Sequence, residues 1–97
     1  MTDLEALRAM RELLAVRSRW TKGAAARDKY GHRVSFRSPR AARHCLMGAV
    51  FQIGGNILLL DSVLPRGDSM IAFNDTHTHA EVLALLDEAI ALEEAKA

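Results

Sequence analysis

The sequence THAEVLALLDEAI, residues 78–90, carries a clear helix signal. A hydroxyl at Thr78 and a carboxylate three positions later at Glu81 form a capping box, which begins a helix. Apolar residues then recur at helical spacing, at Val82, Leu85, Leu86, Ala89 and Ile90. The pattern predicts an amphipathic helix, helix 4, from His79 to about Glu94, with an apolar face toward a core and an acidic outer face.

Two further helices are predicted upstream. Thr2 and Glu5 form a second capping box, which predicts helix 1 over residues 3–17. Ser38 followed by Pro39 predicts the start of helix 2, because a hydroxyl caps a helix and proline suits its first position. Helix 2 is expected to end at Gly54-Gly55.

Helices 1, 2 and 4 are expected to form the core. Gly48, in the middle of predicted helix 2, indicates a close helix crossing, since glycine costs about 1 kcal/mol there relative to alanine. The residues expected to be buried are Leu14, Cys45, Leu46, Ala49, Leu85 and Leu86. The residues expected to close one end of the core are Trp20, Val34, Phe36 and Phe73.

The segment between helices 1 and 2 predicts a short β-hairpin. Asp28 and Gly31 have the spacing of a tight turn that ends in a glycine with positive φ, and residues 33–37 alternate polar and apolar. Residues 57–64 predict a short third helix, although periodicity does not separate helix from strand there, and residues 70–73 are expected to be extended.

The fold class is therefore α+β, mainly α: three to four helices with one hairpin between helices 1 and 2, in a single domain over residues 1–97.

Composition excludes several classes of protein. The chain has 97 residues, of which 49% are hydrophobic and 26% charged, which is typical of a globular protein. No apolar run is long enough for a transmembrane helix, and the acidic N-terminus argues against a signal peptide. A single cysteine allows no internal disulfide. These features predict a cytoplasmic protein with no membrane association.

The net charge of +1 hides a strong segregation of charge. Residues 17–43 carry a charge of +8 and residues 44–97 carry −6. This asymmetry has two interpretations: the two halves attract each other, within the fold or across a homodimer, or the basic half binds an anionic partner, nucleic acid or an acidic protein. The candidate anion-binding residues are Arg27, Arg33, Arg37, Arg40 and Arg43. The predicted helix start at Ser38 and the aromatic side chains of Trp20 and Tyr30 would support such a surface.

A second class of function rests on Cys45. A cysteine nucleophile needs a histidine base and an orienting carboxylate or carboxamide, and His77 or His79 with Asp75 or Asn74 would supply them. Cys45 lies on the apolar stripe of predicted helix 2, so a buried structural cysteine is the main interpretation. The sequence does not supply the geometry of an enzyme.

The polar segment Asn74-Asp75-Thr76-His77-Thr78-His79 also has two interpretations. A His-x-His pair in an extended segment could bind a metal with Asp75 or Cys45. The capping box instead places His77 before the helix and His79 inside it, which favours a capping role. We therefore predict no metal and no cofactor.

Four local patterns, taken together, resemble a known family. They are Trp20-x-x-Gly23-x-x-Ala26-Arg27-Asp28-x-x-Gly31-x-x-Val34, Ser38-Pro39-x-Ala41-x-x-x-Cys45-x-x-Gly48-Ala49, Phe73-Asn74-Asp75 and Thr78-x-Ala80-Glu81-Val82-Leu83. The chain resembles a family of small, uncharacterised bacterial and phage proteins, a domain of unknown function. The family pattern has tryptophan where this chain has Phe73, and often an aromatic residue at His44. The resemblance implies a compact α-rich domain and brings no activity, cofactor or catalytic residue.

The sequence thus favours a small binding or regulatory module. It would present a basic hairpin and a helix N-terminus to an anionic partner. The alternative is a small, or degenerate, enzyme that uses Cys45 with His77 or His79.

Overall fold

A computed structural model describes residues 1–96 and contains four α-helices and one small sheet. The helices are α1 (Asp3–Leu13), α2 (Leu46–Ile53), α3 (Met70–Thr76) and α4 (His79–Lys96). The strands are β1 (Ala26–Arg27), β2 (Arg33–Val34) and β3 (Arg43–His44). The predicted class, α+β and mainly α, is confirmed.

The two capping boxes begin α1 and α4, as predicted. At each helix the threonine hydroxyl accepts the backbone N–H of the glutamate three residues later. The glutamate carboxylate in turn accepts the backbone N–H of that threonine. Helices α1 and α4 pack together, and two ion pairs bridge them: Arg8 to Glu94 at 2.8 Å and Arg11 to Asp87 at 2.8 Å. Two acids of α4, Asp87 and Glu94, thus pair with bases of α1.

Helix α1 ends earlier than predicted, at Leu13, with Leu14 as its cap. The Nε2 of His79 lies 2.7 Å from the Leu14 carbonyl oxygen, and because a carbonyl only accepts, this nitrogen carries the proton. That bond satisfies a carbonyl that a longer helix would have used. A single 3-10 turn follows at Arg17–Arg19.

The predicted hairpin is present, and a third strand completes the sheet. The strand order is β2-β1-β3, and both pairings are antiparallel. The turn closes as predicted: Gly31 donates to the Asp28 carbonyl at 3.0 Å and has a φ of 88°. This small sheet lies beside the N-terminal end of α2, because Cys45 directly follows β3.

The prediction that helix 2 begins at Ser38-Pro39 is wrong. The Ser38 hydroxyl accepts the Arg40 N–H and its carbonyl accepts the Ala41 N–H, which closes a turn. The chain then pairs with β1, starting with the Ala42 N–H on the Arg27 carbonyl at 2.9 Å. Cross-strand hydrogen bonds thus replace helical ones until α2 begins at Leu46. Gly54 is the C-cap of α2, so the predicted end of the helix is confirmed.

Two shorter predictions are also wrong. Residues 57–64 form successive turns rather than a helix or a strand, with Leu59 and Leu60 buried. Residues 70–73 belong to helix α3 because the Ser69 hydroxyl caps it by accepting the Ala72 N–H at 3.1 Å.

The core lies where the sequence predicted it. The six residues expected to be buried, Leu14, Cys45, Leu46, Ala49, Leu85 and Leu86, are all buried. Trp20 and Phe73 are buried too, whereas Val34 and Phe36 are half-buried. The close approach at Gly48 is confirmed, but its neighbour is the backbone of Ala25 rather than a helix, since a Cβ there would lie 1.9 Å from the Ala25 carbonyl oxygen.

Candidate functional site

Cys45 is the N-cap of α2 and not a residue two turns inside a helix. Its sulfur accepts the Gly48 N–H at 3.3 Å, and the residue is 5% exposed. Burial raises the pKa of this thiol, and the nearby Asp75 carboxylate adds to that shift, while the N–H groups of Gly48 and Met47 oppose it. A thiol in this environment stays protonated and caps the helix.

The two candidate histidine bases are engaged elsewhere. The Nδ1 of His77 lies 2.8 Å from the Phe73 carbonyl, and its ring stacks on the Phe73 ring with centroids 3.7 Å apart. His79 donates to Leu14 and lies against Trp20. Within residues 1–96 neither imidazole hydrogen-bonds the Cys45 sulfur, so the structure does not bring the cysteine and a histidine together.

A cleft of about 220 Å³ does contain both Cys45 and Asp75. Its walls are otherwise apolar, and Asp75 accepts the Gly23 N–H at 3.1 Å and the Asn74 amide at 3.2 Å. Asp75 therefore holds the loop before β1 in place. Asn74 is fully buried and belongs to the same polar cluster.

The sheet brings three of the five candidate arginines into one row. Arg27 is the register partner of Arg33 on one side and of Arg43 on the other, so all three side chains share one face. The opposite face carries Ala26, Val34 and His44 and packs inward, with Ala26 and His44 buried. We call Arg27, Arg33 and Arg43 the arginine row.

The members of the row differ in how tightly they are held. Arg27 donates to the Thr21 hydroxyl and to the carbonyls of Gly31 and Lys22 at 3.0–3.1 Å, so it also ties the hairpin turn to the preceding loop. Arg43 reaches the Lys29 carbonyl at 3.3 Å. Arg33 is exposed.

The other two candidates lie on the loop that joins β2 to β3. Arg37 is exposed, with its guanidinium 5.4 Å from the Phe36 ring centroid. Arg40 lines a groove of about 540 Å³ between this loop and the hairpin turn. The groove is lined by Asp28, Lys29, Tyr30, His32, Pro39, Arg40, Ala41 and Ala42.

None of the nine lysines and arginines of residues 17–43 forms an ion pair with a carboxylate among residues 1–96. Among the described residues, any attraction between the two charged halves therefore acts without a direct ion pair. In α4, Asp87 and Glu94 pair with α1, and Glu93 pairs with Lys96.

Two features that were expected to favour an anion-binding surface, the Trp20 ring and a free helix N-terminus, are not available at the surface. Trp20 is 5% exposed and donates its indole N–H to Asn74 at 2.7 Å, so it is structural. The N-terminus of α2 is also engaged, because Leu46 N–H donates to Asn74 and Gly48 N–H to Cys45. Tyr30, in contrast, is 74% exposed at the hairpin tip.

Sequence reasoning missed His44, which is 5% exposed and whose Nε2 has no hydrogen-bond partner. The Ser38-Pro39 pattern predicts a helix that includes residue 44, whereas His44 lies in strand β3 beside β1. The arginine row was missed for the same reason, since only the register of β3 places Arg43 opposite Arg27.

No grouping of three or more metal-ligating side chains occurs among residues 1–96. Of the helices in that range, none is both long and apolar enough to span a membrane.

The fold and these surfaces define a small α+β domain, mainly α, with an arginine-lined sheet face. A family model described as "Family of unknown function (DUF6197)" matches residues 1–92, and the chain belongs to this family. No curated protein and no solved structure matches the chain.

Proposed function

We propose that this protein is a nucleic-acid-binding module whose contact surface is the arginine row together with the neighbouring bases Lys29 and Arg40. The observation that carries the proposal is the register of the sheet. Three arginine side chains leave one face of the sheet in register, and no carboxylate of residues 1–96 pairs with them.

This arrangement is unfavourable for folding alone. Like charges directly opposite each other in an antiparallel pair are destabilising, and the row contains two such pairs. Hydrogen bonds to neutral oxygens hold Arg27 and Arg43, but no carboxylate offsets the charge of the row, and such a break of a local rule is typical of a functional surface. A line of phosphates would supply the compensation, because guanidinium groups bind phosphate oxygens with paired hydrogen bonds.

Tyr30 favours nucleic acid over an acidic protein as the partner. An exposed tyrosine among bases offers a surface on which a nucleobase stacks, in addition to the phosphate contacts. An acidic protein would need only the charges. The acidic protein and the homodimer stay predictions, and each is an alternative outcome of binding and sedimentation measurements.

A salt titration tests the proposal. If the row, Lys29 and Arg40 contact about three to five phosphates, the logarithm of the affinity for a labelled oligonucleotide should fall with the logarithm of the salt concentration with a slope of about −2 to −4. Absence of binding to DNA and RNA at low salt would overturn the proposal. Capture of an acidic protein from a lysate under those conditions would then point to the other anionic partner.

A further inference from the structure

The hairpin turn places an exposed aromatic ring beside a concave surface. Tyr30 is 74% exposed and lines the groove between the turn and the loop of residues 39–42. The groove volume of about 540 Å³ lies within the range of about 300–1,000 Å³ that small-molecule sites occupy. The groove is therefore large enough for a single nucleotide.

The groove is cationic and continuous with the arginine row. The cationic side chains that line it are Lys29 and Arg40. The Arg43 guanidinium donates to the Lys29 carbonyl at 3.3 Å, which joins the row to the turn. A chain of phosphates that follows the row therefore leads to the groove that Lys29 and Arg40 line.

The one carboxylate in the groove, Asp28, is occupied by the turn itself. It accepts the N–H groups of Tyr30 and His32, both at 2.9 Å, and lies 3.3 Å from the His32 imidazole. These contacts hold the turn that presents Tyr30, and they direct the negative charge toward backbone donors rather than toward a ligand.

We infer that the groove binds one unstacked nucleotide of a single-stranded nucleic acid, with its base on the Tyr30 ring and its phosphate between Lys29 and Arg40. This inference rests on the proposed function and names the form of nucleic acid that is bound. Only an unpaired base has a free face to stack on a side chain, because a duplex covers both faces of its internal bases.

The rest of the surface agrees with a single strand as the ligand. Reading a duplex groove usually requires an exposed helix or a long ribbon. The N-terminus of α2 is engaged by Asn74 and Cys45, and each strand of the sheet has only two residues. The Lys29 ammonium lies 5.1 Å from the Tyr30 centroid, an exposed contact weaker than a stacked base, so the ring is available.

Fluorescence anisotropy on the full chain tests the inference with two probes. One is a labelled thymidine oligonucleotide of about 12 nucleotides, within the ~4–16 that single-strand sites cover. The other is a duplex with the same number of phosphates whose strands are joined by a non-nucleotide linker, so that it has no unpaired loop bases. We expect tighter binding of the single strand. Tyr30→Ala should weaken that binding roughly 5- to 150-fold and leave duplex binding unchanged.

Two variants serve as controls. Tyr30→Phe keeps the ring and should restore most of the single-strand affinity that Tyr30→Ala loses. Leu58→Ala truncates another exposed apolar side chain, 60% exposed and outside the groove, and should have no effect.

The outcomes separate this inference from the proposed function. Equal or tighter binding of the duplex, or wild-type affinity of Tyr30→Ala for the single strand, would overturn the groove as a nucleotide site while the arginine row remained a nucleic-acid surface. No binding of either probe at low salt would overturn both.

Discussion

The indole Nε1 of Trp20 donates a hydrogen bond of 2.7 Å to the side-chain oxygen of Asn74, a residue with no exposed surface. The same oxygen accepts the Leu46 N–H at 3.1 Å, and the Asn74 amide donates to the Thr21 carbonyl at 3.0 Å. One carboxamide thus joins α3 to the start of α2 and to the segment that leads into the sheet. These hydrogen bonds anchor the segment that precedes the sheet with the arginine row.

Loss of the Asn74 side chain should be strongly destabilising. Asn74→Ala leaves the Trp20 N–H, the Leu46 N–H and the Thr21 carbonyl without partners. Each buried polar group without a hydrogen bond lowers the free energy of unfolding by about 1–3 kcal/mol. We expect urea unfolding to show a loss of at least about 3 kcal/mol.

Asn56→Ala is the matched control. It removes a hydrogen bond to the Leu58 N–H at an exposed position, so the loss should stay below about 1 kcal/mol. Similar losses for the two variants would contradict the structural role of Asn74.

Cys45 should behave as a helix cap rather than as a nucleophile. Because burial raises the pKa of its thiol, iodoacetamide should label the native protein far more slowly than the unfolded chain at neutral pH. Cys45→Ser keeps an acceptor for the Gly48 N–H, whereas Cys45→Ala should lose about 0.5–2 kcal/mol of stability. Fast labelling of the native protein, persisting in mild acid, would instead indicate an activated thiolate.

His44 should make stability fall in mild acid. Burial lowers the pKa of its imidazole below the ordinary value of 6.5, although a bond to the Phe36 backbone opposes the shift. The unfolded chain therefore binds a proton at a higher pH than the folded one. The stability that the neutral ring provides is complete above about pH 6.5 and is lost as pH falls toward the folded pKa.

The measurement is the free energy of unfolding at several pH values from about 7.5 to 5, for the wild type and for His44→Phe. The wild type should lose stability across this window and the variant should not. The pKa of the Asp28 carboxyl is lowered from its ordinary value of 3.8, so this group changes the stability only at a pH below the measured range. Parallel profiles would show that His44 does not titrate as a buried group.

The sequence predicted what depends on local signals. The capping boxes at Thr2 and Thr78 located the starts of α1 and α4, and the Asp28–Gly31 spacing located the turn. The apolar spacing identified buried residues such as Leu86. Each of these features is decided by residues fewer than five positions apart.

What the sequence could not predict depends on contacts between distant segments. Ser38-Pro39 has the composition of a helix start, but pairing of residues 43–44 with β1 replaced the helix. The buried bond of Trp20 to Asn74 spans 54 positions and left no local pattern. Capping at Ser69 was visible in the sequence, and the short helix that follows could have been predicted from it.

Charge reversal on the arginine row tests the central claim most directly. In the double variant Arg33→Glu/Arg43→Glu, a glutamate stands on each side of Arg27 in the strand register, so opposite charges replace like charges and folding should be unimpaired. The control Arg66→Glu/Lys96→Glu changes the net charge equally at exposed positions outside the row.

The measurement is the affinity of both variants and the wild type for the thymidine oligonucleotide at low salt, with urea unfolding as the check on folding. The account predicts that the row variant is at least as stable as the wild type and has lost binding, while the control binds within a few-fold of the wild type. If both variants lost affinity equally, binding would depend on net charge and not on the arginine row. Retained binding by the row variant would contradict the arginine row as the contact surface.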